Sequence, residues 1–583
     1  MKTAWNLKLF YKSTKDPQIE KDVVQFERAF KTFAKKYKDN DSYMKSETAL
    51  LKVLEDADKL QKLAVSKPLY YFYYISALDS SNQEAEAMIN KLSDRMTKAE
   101  NLALFFEVNL GKVLPINQKK FLKSPKLKKY HYFLEKVFES GKYVLSAPEE
   151  RILSLKSLPS RSLWIAGLEK SLNKKTVKFK GKEIPLPEAT GLIATLKTKE
   201  RRELHNNLFE VFKSVSDFAE SEINAVYINK KINDELRGEK MPYSATIRSY
   251  ENTEKSVLDL VSTVTENFKI SHRFYNLKKK ILGLDTLLYA DRAVPIGNVK
   301  KKFDFKSSHD LLREIFYNAN TEYGKILDRF IKDGHIDVYP KKGKGGGAFC
   351  SSSPGTPTLV FLNHIDNHNS FSTFAHEMGH AVHAERSKSQ PLLHQGHTTS
   401  VAETASTFFE TLAFSTVFET LSDSDKVIAL HNKIAGDIST IFRQIACFNF
   451  ELDLHNQIRE VGSISKEDIA KLMNKHMGAY LGPAFKLTEL DGYFFVNWSH
   501  IRNFFYVYSY SYGQLISKAL YSEYEKDNRF IEKIDEFLSA GDSKSPERIF
   551  GDIGIKTNQA LFKTGLESVE KDIDELEKLT RKK

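Results

Sequence analysis

The chain has 583 residues, 41% of them hydrophobic, a formal net charge of +12 and only two cysteines, Cys350 and Cys447. That length exceeds one ordinary domain and can bury a large core, while two cysteines exclude a disulfide framework and suit a reducing compartment. The positive charge is dispersed among Glu and Asp; its densest groups are Lys119–Lys129, Lys278–Lys280 and Arg581–Lys583. With no zinc-finger or RNA-recognition motif beside it, this charge reads as a solvated surface and not as a nucleic-acid footprint. No apolar run approaches the ~18 residues of a membrane helix, and Leu69–Tyr74 is far too short. Met1–Leu7 carries no signal-like apolar stretch ahead of Lys12 and Lys15. The expectation is a cytoplasmic protein with no membrane and no nucleic-acid partner; the sequence leaves its oligomeric state open.

Helical periodicity dominates from the N-terminus onward. Asp16–Lys38, Ser46–Leu63, Asn82–Asn109, Thr198–Leu236, Thr253–Gly283 and Ser308–Asp333 read as helices, followed by Lys426–Val461, Lys466–Met477 and Tyr506–Tyr524, with the charged amphipathic stretch Glu567–Leu579 at the end. The first has Asp16 as its N-cap and Pro17 at the first helical position, where the missing N–H costs nothing. Strand-like stretches are short: Thr176–Lys182, His335–Tyr339, Ala348–Cys350 and Leu359–Asn363. Turn-forming residues at Gly181–Pro187 mark a boundary between an N-terminal helical lobe, residues 1–185, and a second domain, residues 186–583. No internal repeat is evident. Lys342–Gly347 is glycine-rich but lacks the Gly-Lys-Ser/Thr ending of a phosphate-binding loop.

The run Ser372–His383 contains His376-Glu377-Met378-Gly379-His380, an H-E-x-x-H pattern. Positions four apart share one helix face, so His376 and His380 can grip one Zn²⁺, and Glu377 between them can take a proton from the attacking water. The flanking Phe371, Phe374, Ala375, Met378, Ala381 and Val382 predict a buried helix, where two histidines and a glutamate need partners. A catalytic zinc takes three protein ligands and keeps one position open. A metzincin would supply the third through H-E-x-x-H-x-x-G-x-x-H, but His383 and Arg386 stand at the corresponding glycine and histidine positions. The alternative is a glutamate on a second helix, Thr399–Leu412, which carries Glu403 and Glu410 two turns apart on one face. Glu403 is taken as the third ligand and Glu410 as the carboxylate that holds the far nitrogen of a ligating histidine. His383, His394 and His397 compete for the ligand role.

These residues resemble the thimet-oligopeptidase superfamily of zinc peptidases, and most closely its oligoendopeptidase F branch. The spacing from His380 to Val401-Ala402-Glu403 is similar to that family's second helix, Lys344–Cys350 followed by Pro357–Asn363 resembles its edge strand, and His500–Gly513 resembles its substrate-binding His/Tyr segment. Tyr143–Trp164 is similar to its N-terminal region. Arg502 departs from the pattern, since an aromatic is expected there. The resemblance implies a mainly α, two-lobed helical metallopeptidase with a deep central cleft and a small β element beside the metal helix. It also implies one zinc per chain, substrate-backbone contacts at Gly346, Gly347 and Ala348, and catalytic hydrogen-bond donors among His500, Tyr506, Tyr508 and Tyr510. On a helix, Tyr506 and Tyr510 would share a face.

The expected function is zinc-dependent endoproteolysis of short unstructured oligopeptides, with short peptides as the partners. A dipeptidyl-carboxypeptidase on a similar scaffold is one alternative, and a peptide-binding protein with a structural metal is another. Glu377 argues against the latter, as does the lack of an evident fourth protein ligand. Charge alone would support a nucleic-acid binder, recognisable by a steep loss of binding with salt.

Overall fold

A computed structural model describes residues 1–63 and 67–581. Of the basic C-terminal group, only Arg581 therefore lies among the described residues. The protein is mainly helical, with a two-stranded and a three-stranded sheet. None of the described helices is long and apolar enough to cross a membrane. The chain forms two compact units, each built from three segments. The first comprises Met1–Val144, Lys301–Thr416 and Glu523–Gly554; the second comprises Leu145–Lys300, Val417–Ser522 and Ile555–Lys583.

In the first unit, the opening helix Pro17–Tyr37 is capped by the Asp16 carboxylate, which accepts from Gln18 N–H at 2.9 Å. Its buried residues Ile19, Val23, Phe26, Phe30, Phe33 and Tyr37 recur every three or four positions, the spacing of one apolar helix face. Phe26, Phe30, Phe33 and Tyr37 of that face join Leu50, Val53 and Leu54 of Glu47–Leu63 and Phe106, Leu110 and Leu134 in one aromatic-rich core, while Ile19 and Val23 join another. A small sheet forms a second core with Trp5, Phe10 and Tyr74. Its strands run in the order Ile336–Asp337, Leu359–Phe361, Phe349–Ser351, the first pair parallel and the second antiparallel. Phe349–Ser351 is thus an edge strand. The glycine-rich approach to it is tied down. The fully buried Lys344 side chain pairs with Asp337 at 2.7 Å and donates to the carbonyls of Tyr339 and Leu362. Asn363 donates to the carbonyls of Gly345 and Gly347.

In the second unit, long periodic stretches break where one residue can end one helix and begin the next. Thr198–Leu236 is two helices, Thr198–Ser214 and Ser216–Arg237. Thr253–Gly283 likewise divides at Asn267, whose side chain turns back to the Thr263 carbonyl. A five-residue π-helical stretch, Ile438–Phe442, interrupts Lys426–Val461. The strand expected at Thr176–Lys182 is a hairpin of Thr176–Phe179 and Lys182–Pro185. Lys180 and Gly181 both have positive φ, as a two-residue primed turn requires. This hairpin lies inside the second unit, so the partition at residue 185 does not coincide with the compact units: turn residues mark a local reversal as readily as a boundary. Buried ion pairs tie its helices together: Asp291 accepts from both Arg201 and Arg202, and His205 is bonded to Asp491 at 2.8 Å.

Candidate metal centre

Helix His368–Ser387 begins at Asn367, whose side chain accepts from Ser370 N–H. It buries Phe371, Phe374, Ala375, Met378, Ala381 and Val382, leaving His376 and His380 half-buried on another face. Helix Thr399–Glu419 passes close to it. Gly379 is the reason it can: a Cβ there would lie 2.9 Å from Ser406 Cα and 3.1 Å from Phe409 Cβ. This approach brings Glu403 to the histidines. One donor atom each from His376, His380 and Glu403 lies within 4.8 Å of the others, and His376 Nε2 is 3.6 Å from a Glu403 oxygen.

The neighbours orient these groups. His376 Nδ1 is 3.1 Å from a Glu410 oxygen, which leaves Nε2 pointing to the cluster. Glu377 is buried beside it, close to the Cys350 backbone amide of the edge strand. Burial pushes the Glu377 carboxyl up to about 7, with the Glu403 charge adding to the rise and the His376 charge opposing it. Burial works against a charged His376, but the hydrogen bond and charge of Glu410, with Glu377 and Glu403, outweigh it and raise the ring to about 9. Burial, then the His376 charge, drives His380 down to about 3. Two imidazoles and three carboxylates therefore share a small volume, and a divalent cation would relieve their repulsion. The donor set of two nitrogens and one carboxylate oxygen is that of a catalytic zinc site, so the residues present fit the metal.

The other sequence candidates lie elsewhere. His383 is fully buried, with neither ring nitrogen hydrogen-bonded, and stacks on His397 at 4.1 Å. His394 sits near the Lys129 carbonyl and Asp542. None of the three joins the donor cluster. Gly346 and Gly347 are exposed just ahead of the edge strand, with Ala348 half-buried. In the second unit, the Tyr506 hydroxyl meets His500 Nδ1 at 2.5 Å, and Tyr510 packs on both rings. Tyr508 is separated from this group. It is fully buried, and its hydroxyl donates to Asn252 at 3.0 Å. Tyr506 is not helical, because the helix starts at Tyr508.

Two family models match the chain. Residues 196–562 match that of peptidase family M3, and residues 117–166 match one described as oligopeptidase F. The chain belongs to peptidase family M3. It is accordingly a metallopeptidase. Among relatives, it is 25% identical to oligopeptidase PepF of Bacillus subtilis over 88% of this chain and 78% of that protein. It is 24% identical to an oligoendopeptidase F homolog of Borreliella burgdorferi over 97% of this chain and 98% of that protein. Its fold is similar to a solved structure from Chlamydophila abortus, with a TM-score of 0.87 at 20% identity over 99% of this chain and 98% of that one. The oligoendopeptidase F of Enterococcus faecium gives 0.71 at 18% identity, covering 97% and 99%.

Three structural features lay beyond sequence reasoning: the Cys350 amide close to Glu377, the role of Gly379 in the helix approach, and the pairing of Arg502 with the buried Glu222. The small residue at 379, which faces Ser406 and Phe409, was the one available signal of close helix packing.

Proposed function

We propose that this M3 metallopeptidase is a zinc endopeptidase that hydrolyses internal bonds of short unstructured oligopeptides. The observation that carries the reading is the convergence of His376, His380 and Glu403 with a buried Glu377 beside them. His376, His380 and Glu403 would hold the zinc. When bound there, zinc supplies Lewis-acid chemistry at the scissile carbonyl. Glu377 takes the proton of the attacking water and passes it to the leaving amine. Glu410 fixes the tautomer and orientation of His376.

His500 and Tyr506, with Tyr510 beside them, are assigned as hydrogen-bond donors to the oxygen that gains charge in the transition state. Their mutual hydrogen bond and the family likeness of the segment support this. The buried Tyr508 has less support for such a role. Exposed backbone at Gly346, Gly347 and Ala348, next to an edge strand, supports pairing with an extended substrate main chain, a mode indifferent to most side chains. The cysteines are unpaired, which supports a cytoplasmic location.

Mass spectrometry of products from a random peptide mixture tests the reading. Internal cleavage, abolished by a chelator and restored by zinc, is the expected result. Release of dipeptides only from C-termini would replace it with the dipeptidyl-carboxypeptidase reading. Binding without cleavage would leave a peptide-binding protein.

A further inference from the structure

The segment that carries His500 and Tyr506 has an unusual backbone. Ser499–Arg502 is a single 3-10 turn and the following helix begins at Tyr508. Between them Phe504 and Phe505 adopt φ of 47° and 62°. Two consecutive non-glycine residues in the left-handed region are uncommon, and such backbone persists only where the surroundings over-determine it.

Two buried carboxyls supply much of that constraint. Glu451 is fully buried on helix Arg443–Val461. Its Oε1 accepts the Phe505 N–H at 3.0 Å, while Oε2 has no hydrogen-bond partner. Glu222, also fully buried, takes both Arg502 Nε at 3.1 Å and Nη2 at 2.8 Å. Arg502 Nη1 then donates to the carbonyls of Phe495 and Trp498. Tyr227 donates to the Ile501 carbonyl and Thr246 to that of Phe504. Every one of these groups belongs to the second unit.

A buried ion pair is a poor source of stability, because desolvation consumes most of the Coulombic gain. A buried carboxyl with one oxygen unpaired is poorer still. Their geometric effect is clear: Glu222 fixes the segment at Arg502 and Glu451 fixes it at Phe505, with His500 and Tyr506 just outside those two points. We infer that Glu222 and Glu451 are positioning residues that hold the His500–Tyr506 pair in register for the reaction. Arg502 stands where an aromatic is expected, so the Glu222 fastening is a feature of this chain's own residues. The inference rests on the donor role proposed above for His500 and Tyr506.

Steady-state kinetics of the zinc-loaded full chain on an internally quenched peptide test it. Glu451→Leu removes the acceptor for Phe505 N–H, and Arg502→Met removes the bonds to Glu222. Each should lower kcat on the order of 100-fold, the effect of a misplacement near 1 Å, with KM and zinc content within about twofold of the parent. Glu451→Gln keeps an acceptor oxygen and should restore most of kcat. In a His500→Ala background, Glu451→Leu should cause little further loss, because both act through one group. A strong loss in His500→Ala alongside parental kcat in Glu451→Leu and Arg502→Met would overturn the inference and leave the donor reading standing. Independent, multiplicative losses in the double variant would also overturn it. Parental kcat in both His500→Ala and Tyr506→Phe would overturn the donor reading and the inference with it. Should Glu451→Leu fail to fold by circular dichroism, Arg502→Lys carries the test. It keeps the charge but cannot make both bonds to Glu222, and parental kcat in it would count against the positioning role.

Discussion

Glu377 lies beside the donor cluster without belonging to it, so the proposed proton transfer and the proposed metal binding fall on different side chains. Glu377→Gln should therefore keep zinc, measured by atomic absorption after dialysis, and lose roughly 10²–10⁴ in kcat. Retention of more than about a hundredth of the activity would remove Glu377 from proton transfer. Glu403 and Glu410 divide differently. Glu403 reaches His376 Nε2, and Glu410 reaches Nδ1. Glu403→Ala should strip the metal, whereas Glu410→Ala should weaken affinity or activity by about 10–100-fold. The reverse order in zinc titrations would exchange their roles. Away from the metal, burial pushes the Glu451 carboxyl up to about 8, against the Phe505 amide, which favours the charged form. Unfolded glutamate titrates near about 4.3. Between these values the folded chain keeps a proton that the unfolded chain has released, so this group's contribution to stability falls as pH rises. Glu451→Gln removes that dependence. Its melting temperature relative to the parent should rise steadily between about pH 5 and pH 8; a constant difference would mean that Glu451 is ionised in the fold.

At the scale of elements, the site depends on how closely two helices approach. Helix His368–Ser387 offers Gly379 to Ser406 and Phe409 of Thr399–Glu419. The obstructing Ser406 atom is backbone, which cannot swing aside. Alanine favours a helix over glycine by about 1 kcal/mol, but overpacking costs about 1–3 kcal/mol. Gly379→Ala should therefore be neutral to destabilising, and Gly379→Val clearly destabilising. Both should weaken zinc binding, because Glu403 lies one turn before Ser406 and moves with it. A Gly379→Val protein with parental melting temperature and zinc affinity would show that the helices have slack there. The same scale explains the helix expected from Tyr506. Apolar and aromatic periodicity runs through 504–507, but Phe504 and Phe505 leave the right-handed region, so regular helix begins only at Tyr508.

For the whole molecule, the proposed function has a consequence in substrate form. Main-chain pairing at an edge strand requires an extended peptide, which a folded domain does not offer. Unstructured peptides should be cut at internal bonds while a folded protein survives the same incubation, as read by mass spectrometry and gel. Rapid digestion of a native protein, or stepwise release of single C-terminal residues, would contradict the oligopeptidase reading. Each compact unit draws on three separated segments, so truncation at residue 185 should yield insoluble or unfolded pieces. Two soluble, cooperatively melting fragments would count against that.

Periodicity alone located most of the helices, because an amphipathic face is written in local spacing. H-E-x-x-H at 376–380 and the glutamates at 403 and 410 stand out in the same way, since a spacing of four or seven puts residues on one helix face. Breaks at Val215, Asn267 and the π-helical stretch were not, because an apolar face continues across them and the pattern does not register a change in axis. Gly181–Pro187 reads as a boundary because the residues of a hairpin turn and of a linker carry the same signal. Only the tertiary structure placed Glu403 against His376 while giving Glu410 to the other ring nitrogen, since residues on one helix face differ in depth by where the partner helix crosses. It alone paired Glu222 with Arg502 and Glu451 with Phe505, contacts 280 and 54 residues apart in the chain. Hydrogen bonds of that kind depend on which distant side chain shares a buried space, and local spacing carries no record of it.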